Sequence, residues 1–375
     1  MSHVRLIANY LPQYHSIPEN DKWWGKGYTD WNAVRACRPE FEGHNQPRVP
    51  LDENYYSLDN LDNIKWQVGL AKKYGIDGFG IYHYWFNSNL MLLQKPAELI
   101  LNNADVDIPF FFIWDNSTWK RTWSNVKTGN DWAPLYEGKR TAGDTGILAM
   151  LDYGQEEDWR KHFNYLLSFF KDDRYIKINN KPVFCIFNSN NDFETIKKMS
   201  EKWDAWAREE GFSGLHLISA KNNDKEKLEY NYMYAPFGNG TLNNFEKVML
   251  KLYKKICAIF KRNEIFDYDK VWKRLLNNAR KCQDDSTCYG GFVGYDDSPR
   301  RGRKGRIVLG QSPEKFKIYM KQLIKLSNDR NKDFIFLTAW NEWGEGAYLE
   351  PDTENGYAYL EALKGAVESV NAENA

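Results

Sequence analysis

The chain has 375 residues, with 51 basic and 51 acidic side chains, so its formal charge at neutral pH is zero. That balance argues against nucleic acid as the main partner, because such binding draws on a basic surface to meet phosphates. Aromatic residues make up 16% of the chain, among them 15 Trp and 23 Tyr. Such side chains fill cores, and they also match ligands with an apolar face and a polar rim, as sugars have.

The chain begins MSHVRLIANYL, without a basic n-region, apolar stretch or small-residue cleavage site, so a cytoplasmic location is expected. Residues 4–10 (VRLIANY) form the first of eight apolar runs rich in β-branched and aromatic side chains. The others are 78–84 (GFGIYHY), 109–114 (PFFFIW), 182–187 (PVFCIF), 215–219 (LHLIS), 230–236 (YNYMYAP), 289–295 (YGGFVGY) and 334–340 (FIFLTAW). Continuous runs of this kind suit strands covered on both faces, as in a parallel sheet. Helical periods lie between most of them, at 59–74, 91–103, 156–171, 193–211, 245–281 and 313–328, with one more at 354–370. The link from the fifth run to the sixth is too short for a clear helix. Strands alternating with helices point to an α/β fold, a (β/α)8 barrel read as one domain over residues 1–375 with a helical insertion after strand six at 245–281. No GxGxxG follows the first strand and no GxxxxGK[ST] appears, so the phosphate loops of nucleotide-binding folds are missing.

A barrel of this type carries its site at the carboxyl ends of its strands. The loops there are the unusual parts of the sequence: LPQYHSIPENDKWWGKGYTDWN, HYWFN, WDNSTWKRTW, YDDSPRRGRKG and WNEWGEG. Glu342 and Glu345, after strand eight, stand three positions apart. On one helical turn that spacing brings Cβ atoms to about 5–6 Å, which suits the carboxylate pair of a retaining glycosidase. Burial against Trp340 or Trp343 and mutual repulsion would raise one of the two pKa values. The competing explanation is a helix start dressed with acids. His83 and Trp85 end the second strand as candidates for a hydroxyl contact and a stacking wall, with a satisfied buried histidine as the alternative. Asp115 and Asn116 can orient hydroxyls between Trp114 and Trp119, although an Asx-type loop explains them as well. Asp296 and Arg300 lie in an acidic-then-basic loop, where Arg300 or Arg301 is placed to hold a phosphate or an anionic sugar. The amphipathic stretch 245–281 reads first as barrel packing and second as a basic face for an anionic membrane surface. Six histidines without an HxxxH pair and five scattered cysteines give no metal site, and no cofactor is expected.

ANYLPQYH, YHYWF, WDNSTWKRTW, YDDSPRRG and NEWGEGAYLEPD, in that order, resemble the WbsX-type proteins of bacterial surface-polysaccharide loci, over about residues 4–365. That family is in turn similar to glycoside hydrolase family 99, the endo-α-mannosidases. The resemblance implies a metal-independent barrel acting on an oligosaccharide or lipid-linked glycan. By matching the NEWxE motif it makes Glu342 a base on the sugar 2-hydroxyl and Glu345 the general acid, then base; spacing alone leaves a direct nucleophile open. Tyr10, in the first motif, and Trp340 and Asn341, in the last, are further substrate-contact candidates. The sequence departs from the family pattern at Ser117, where an acid is more usual, which puts the accepted sugar in doubt. The expected function is a retaining hydrolase or transglycosylase for an α-mannoside-like glycan, cytoplasmic and peripheral to the inner membrane. A glycosyltransferase and a catalytically weak glycan-binding protein are the alternatives.

Overall fold

A computed structural model describes residues 3–120, 146–221, 228–238 and 244–374. Residues 121–123 of the WDNSTWKRTW motif and most of the link after the fifth run lie outside them. Eight strands build the core: β1 (Arg5–Tyr10), β2 (Gly78–Asn87), β3 (Phe110–Trp114), β4 (Lys181–Asn188), β5 (His216–Lys221), β6 (Tyr230–Tyr232), β7 (Thr287–Phe292) and β8 (Phe334–Thr338). Each pairs in parallel with the next, and β1 closes the ring by pairing with β8 through Arg5↔Phe334 to Ala8↔Leu337. The fold is therefore a closed (β/α)8 barrel, and all eight apolar runs supply a strand. Their unbroken apolar character follows from burial on both faces: β3 and β8 are buried at every position. Phe111 packs on Phe334 and Phe336 inside the barrel, and Tyr232 stacks on Phe336 at 4.1 Å.

The long loop after β1 contains two short helices, α1 (Pro18–Trp24) and α2 (Asp30–Ala36), before the barrel helix α3 (Leu61–Lys73). The start and end of α3 follow local chemistry. Asn60 caps it by accepting from the Asp62 N–H, and Gly75 leaves it at φ 86°, a conformation that costs glycine little. Helices α4 (Lys95–Asn102), α5 (Glu156–Phe170) and α6 (Phe193–Glu209) follow β2, β3 and β4.

The expected helix over 245–281 is two helices, α7 (Asn244–Ile259) and α8 (Tyr268–Lys281). Between them Glu264–Asp267 is extended and pairs in parallel with Arg306–Leu309. Lys261 turns left-handed at φ 49°, and the buried Asn263 side chain donates to the Gly302 carbonyl at 2.8 Å, which ends the helical path. α8 packs on the barrel, burying Val271, Trp272, Leu275 and Leu276, whereas Val248, Met249, Leu252, Ile256 and Ile259 of α7 face solvent. The short α9 (Ser298–Arg301) follows β7, then α10 (Pro313–Asp329), and α11 (Ala358–Asn374) follows β8. Among the described residues, no helix is long and apolar enough to cross a membrane, and all five cysteines are free thiols.

Candidate active site

The chain leaving β8 folds back on itself. Asn341–Glu342 pairs antiparallel with Ala347–Tyr348, a single 3-10 turn (Trp343–Glu345) joins them, and Gly346 closes it in the left-handed region at φ 57°. Large side chains fix this loop from behind. Trp343 stacks on Tyr348 at 3.7 Å, its indole N–H donates to Glu350 Oε2 at 2.7 Å, and its backbone N–H donates to the Tyr14 hydroxyl. Asn341 accepts from the Leu11 N–H at 2.8 Å and donates to the Leu11 carbonyl at 3.0 Å, pinning the loop to the end of β1. Glu350 also accepts from Tyr56 and Gln67, at 2.8 and 2.7 Å. Burial lifts the Glu350 carboxyl to about 7, and these donors restrain the rise.

Held this way, Glu342 and Glu345 meet one guanidinium. Arg300, on α9, donates through Nη2 to Glu342 Oε1 at 2.8 Å and to Asp30 Oδ2 at 2.7 Å, and through Nη1 to Glu345 Oε1 at 3.0 Å. Gly344 makes the approach possible: a Cβ there would lie 2.7 Å from Arg300 Nε. The two glutamates differ in burial, their side chains being 8% and 22% exposed. Burial raises the Glu342 carboxyl to about 8; Arg300 opposes the rise, while Glu345 and Asp30 add to it. Glu342 therefore keeps its proton to higher pH than a free carboxyl; the sequence reading expected one of the pair to do so and left open which.

The pair opens on a cavity of about 220 Å³ at the carboxyl ends of the strands. Leu11 and Gln13 line it from the β1 loop, Tyr82 and Tyr84 from β2, Asp115 from the end of β3, Phe187 from β4, and Tyr234 and Phe237 from beyond β6. Tyr295, Arg300, Arg301 and Arg306 complete it from the β7 side. The rings touch in two groups, with Tyr82 to Phe187 at 5.9 Å and Phe187 to Tyr234 at 5.4 Å in one, and Phe237 to Tyr295 at 5.0 Å in the other. A smaller chamber of about 60 Å³ adjoins it, sharing Gln13 and Arg300 and lined by Asp30, Trp24, Tyr28 and Trp119.

Of the residues singled out from sequence, Glu342, Glu345, Asp115, Arg300, Arg301 and Trp119 reach these cavities, and the others support them from outside. The Tyr10 hydroxyl points to α3 and donates to Gln67 at 2.7 Å. His83 lies 2.9 Å from His162 on α5, nitrogen to nitrogen, its pKa lowered to about 3 by burial; Trp85 stacks on His162 at 4.3 Å. Trp114 packs among His162 and Trp203, and its indole donates to the Trp85 carbonyl. Asn116 ties the ends of β3 and β4 together through both the N–H and carbonyl of Asn188. Asp296 accepts from His44 and Gln46 at 2.8 Å each and is held down at about 2; burial opposes that shift, and His44, Arg48, Ser298 and Gln46 together outweigh it. Trp340 is fully buried against Phe79, and Asn341 is engaged with Leu11. Arg300 spends its donors on three carboxylates rather than waiting for a phosphate. Missed by the sequence reading were Gln13, Asp30, Tyr82 and Tyr84. Asp30 reads as an ordinary first-turn acid of a helix with a Thr29–Asn32 capping box, and only the length of its loop marked it.

Comparison with known proteins gives relatives of sequence and of fold. Two proteins described as uncharacterized protein WxcX, from strain B100 and a second strain of Xanthomonas campestris pv. campestris, are 30% and 31% identical over 367 and 368 residues, 96% of this chain. The chain spans about half the length of these curated relatives, 49% in each case. Among solved structures, the GH99 endo-alpha-mannosidase from Bacteroides thetaiotaomicron superposes with a TM-score of 0.55 at 14% identity, over 99% of both chains. A glycoside hydrolase-like protein gives 0.56 at 12% identity, over 98% of this chain and 94% of that one. At such identity the likeness is one of fold. The family model described as Glycosyltransferase WbsX matches residues 6–363, and the chain belongs to that family.

Proposed function

We propose that the chain is a glycan-processing enzyme of polysaccharide metabolism in which Glu342 and Glu345 act as a pair on one glycosidic bond. The observation that carries this reading is the pair's setting: two carboxylates on one guanidinium, at the carboxyl end of a barrel, facing a wall of tyrosine and phenylalanine rings. Such rings suit the C–H faces of sugars.

In the finer reading the enzyme is a retaining hydrolase or transglycosylase for an α-mannoside-like glycan, as the likeness to family 99 implies. Glu342 takes the proton of the sugar 2-hydroxyl while that oxygen attacks the anomeric carbon. Glu345 gives its proton to the departing oxygen, leaving an anhydro-sugar. Glu345 then takes a proton from water or an acceptor hydroxyl, whose oxygen opens the anhydro ring, and Glu342 returns its proton to the 2-oxygen. The high proton affinity of Glu342 supports its part in this sequence, because an alcohol yields its proton only to a strong base.

The family's description favours a second reading, transfer of a glycosyl group. The chamber beside Asp30 and Trp119 has room for part of an acceptor. Arg300, Arg301 and Arg306 are already paired with carboxylates, which favours a glycan donor over a nucleotide sugar. The deciding experiment incubates purified protein with the source organism's surface glycan or its lipid-linked precursor and follows products by mass spectrometry, beside Glu345→Gln. Shortened or rejoined fragments from the wild type alone support the hydrolase or transglycosylase. Growth only on adding sugar nucleotides overturns it for the transferase, and silence with retained binding leaves a glycan-binding protein.

A further inference from the structure

Helix α7 carries an apolar stripe that covers nothing among the described residues. Val248, Leu252 and Ile259 are 62%, 50% and 66% exposed, and Met249, Ile256 and Phe260 lie beside them. At about 100° per residue these six span an arc of about 120°. On one flank of the arc stand the exposed Lys251 and Lys255. On the other, Leu250 and Tyr253 turn toward the protein, across a groove lined by Lys270, Lys273 and Arg274 of α8. Residues 244–281 contain eleven Lys and Arg against four Asp and Glu, in a chain whose total charge is zero.

We infer that this face of α7 docks on a bilayer with anionic headgroups, lying in the interface with its apolar stripe among the acyl chains. A stripe between two rows of cations is the pattern such a surface selects. A second copy fits poorly, since a two-fold contact would set each basic flank against its counterpart. The placement also bears on the site. Tyr253 packs on Phe266 at 6.1 Å, and Phe266 packs on Phe237 at 4.9 Å, a residue of the cavity wall. Docking through α7 therefore brings the rim of the cavity beside the lipid surface, where a lipid-linked glycan is presented. The docking itself does not depend on the glycan reading, and its test uses no substrate.

The test is co-sedimentation of the intact chain with vesicles of phosphatidylserine and phosphatidylcholine, against phosphatidylcholine alone, at about 50 and about 500 mM salt. The wild type is expected to bind the anionic vesicles at low salt and to leave them at high salt. Leu252→Asp with Ile256→Asp, both at exposed positions, abolishes binding with the circular dichroism and melting point unchanged. Lys251→Gln with Lys255→Gln weakens it by about fivefold per lysine. Failure of the wild type to bind anionic vesicles at low salt overturns the inference. So does undiminished binding by the aspartate variant, or a dimer in sedimentation velocity that the same variant dissolves.

Discussion

Replacing Glu342 by Gln should make the protein more stable in alkali while removing its activity. The Glu342 carboxyl is buried apart from its cavity face, and burial lifts it from 4.5 to about 8 even with Arg300 beside it. Between those two values the folded chain keeps a proton that the unfolded chain has released. Stability therefore falls as pH rises from about 4.5 to about 8, and levels off above. At about 1.4 kcal/mol per unit the whole span is worth about 3–5 kcal/mol. Gln keeps the shape and an acceptor for Arg300 but cannot ionise, so the variant escapes the loss. Groups remote from the Arg300 cluster titrate alike in the two proteins and cancel in the difference. The melting points of wild type and variant, measured in parallel from pH 5 to pH 9 at fixed ionic strength, should diverge with the variant ahead by roughly 4–6 °C at the alkaline end. A constant gap would refute the claim that burial dominates. If that constant gap has the wild type ahead, Arg300 wins and the carboxylate is ionised in the fold throughout.

If Glu342 serves as the base, kcat/KM on the glycan should rise as pH climbs through about 8; a fall across the same range would make it the acid and exchange the two roles. Gly344→Ala sets a methyl 2.7 Å from Arg300 Nε, and should cost about 1–3 kcal/mol of stability by urea unfolding and at least tenfold in turnover. Tyr82→Ala should weaken glycan binding about two- to twelvefold by calorimetry, if a ring–sugar contact is worth about as much as a ring–ring one, about 0.5–1.5 kcal/mol. His83→Phe, whose ring faces α5, should leave binding within threefold of wild type and lower only the melting point.

The barrel was legible because each strand needs apolar side chains on both faces, and that requirement is written in the sequence as unbroken runs. The same property hid the site. Where both faces are apolar, nothing in a run says which residues point inward, and at the end of β2 the cavity takes Tyr82 and Tyr84 while His83 and Trp85 turn to α5. Charge patterning misled in the same way at Asp296, whose acidic loop looks like a binding loop and is a buried hub for His44, Gln46 and the Ser298 N–H. Glu342 and Glu345 were legible because two acids between tryptophans at the end of a strand have little use in a core. Within that motif, however, the tryptophans act as struts, Trp343 on Tyr348 and Trp340 on Phe79, and the open rings come from other strands. The break near Lys261 had a faint signal in the four consecutive polar residues Lys261, Arg262, Asn263 and Glu264, which interrupt the apolar face where a helix would keep its period.

The charges around Arg300 limit what can bind there. Asp30, Glu342 and Glu345 share one guanidinium, so with all three ionised the cluster would carry an excess of negative charge in a buried place. Holding the proton of Glu342 up to about 8 reduces that excess. A phosphate or uronate would have to take Arg300 from these carboxylates and then face them unshielded, at a cost of several kcal/mol for each charge left without its partner. A neutral sugar meets no such penalty. Its hydroxyls donate to the free lone pairs of the same carboxylates, leaving the guanidinium's hydrogen bonds in place and adding no charge, while its C–H face rests on Tyr82 and its neighbours. The cluster thus favours a neutral sugar at the glutamates and leaves any anionic part of a glycan to the outer rim.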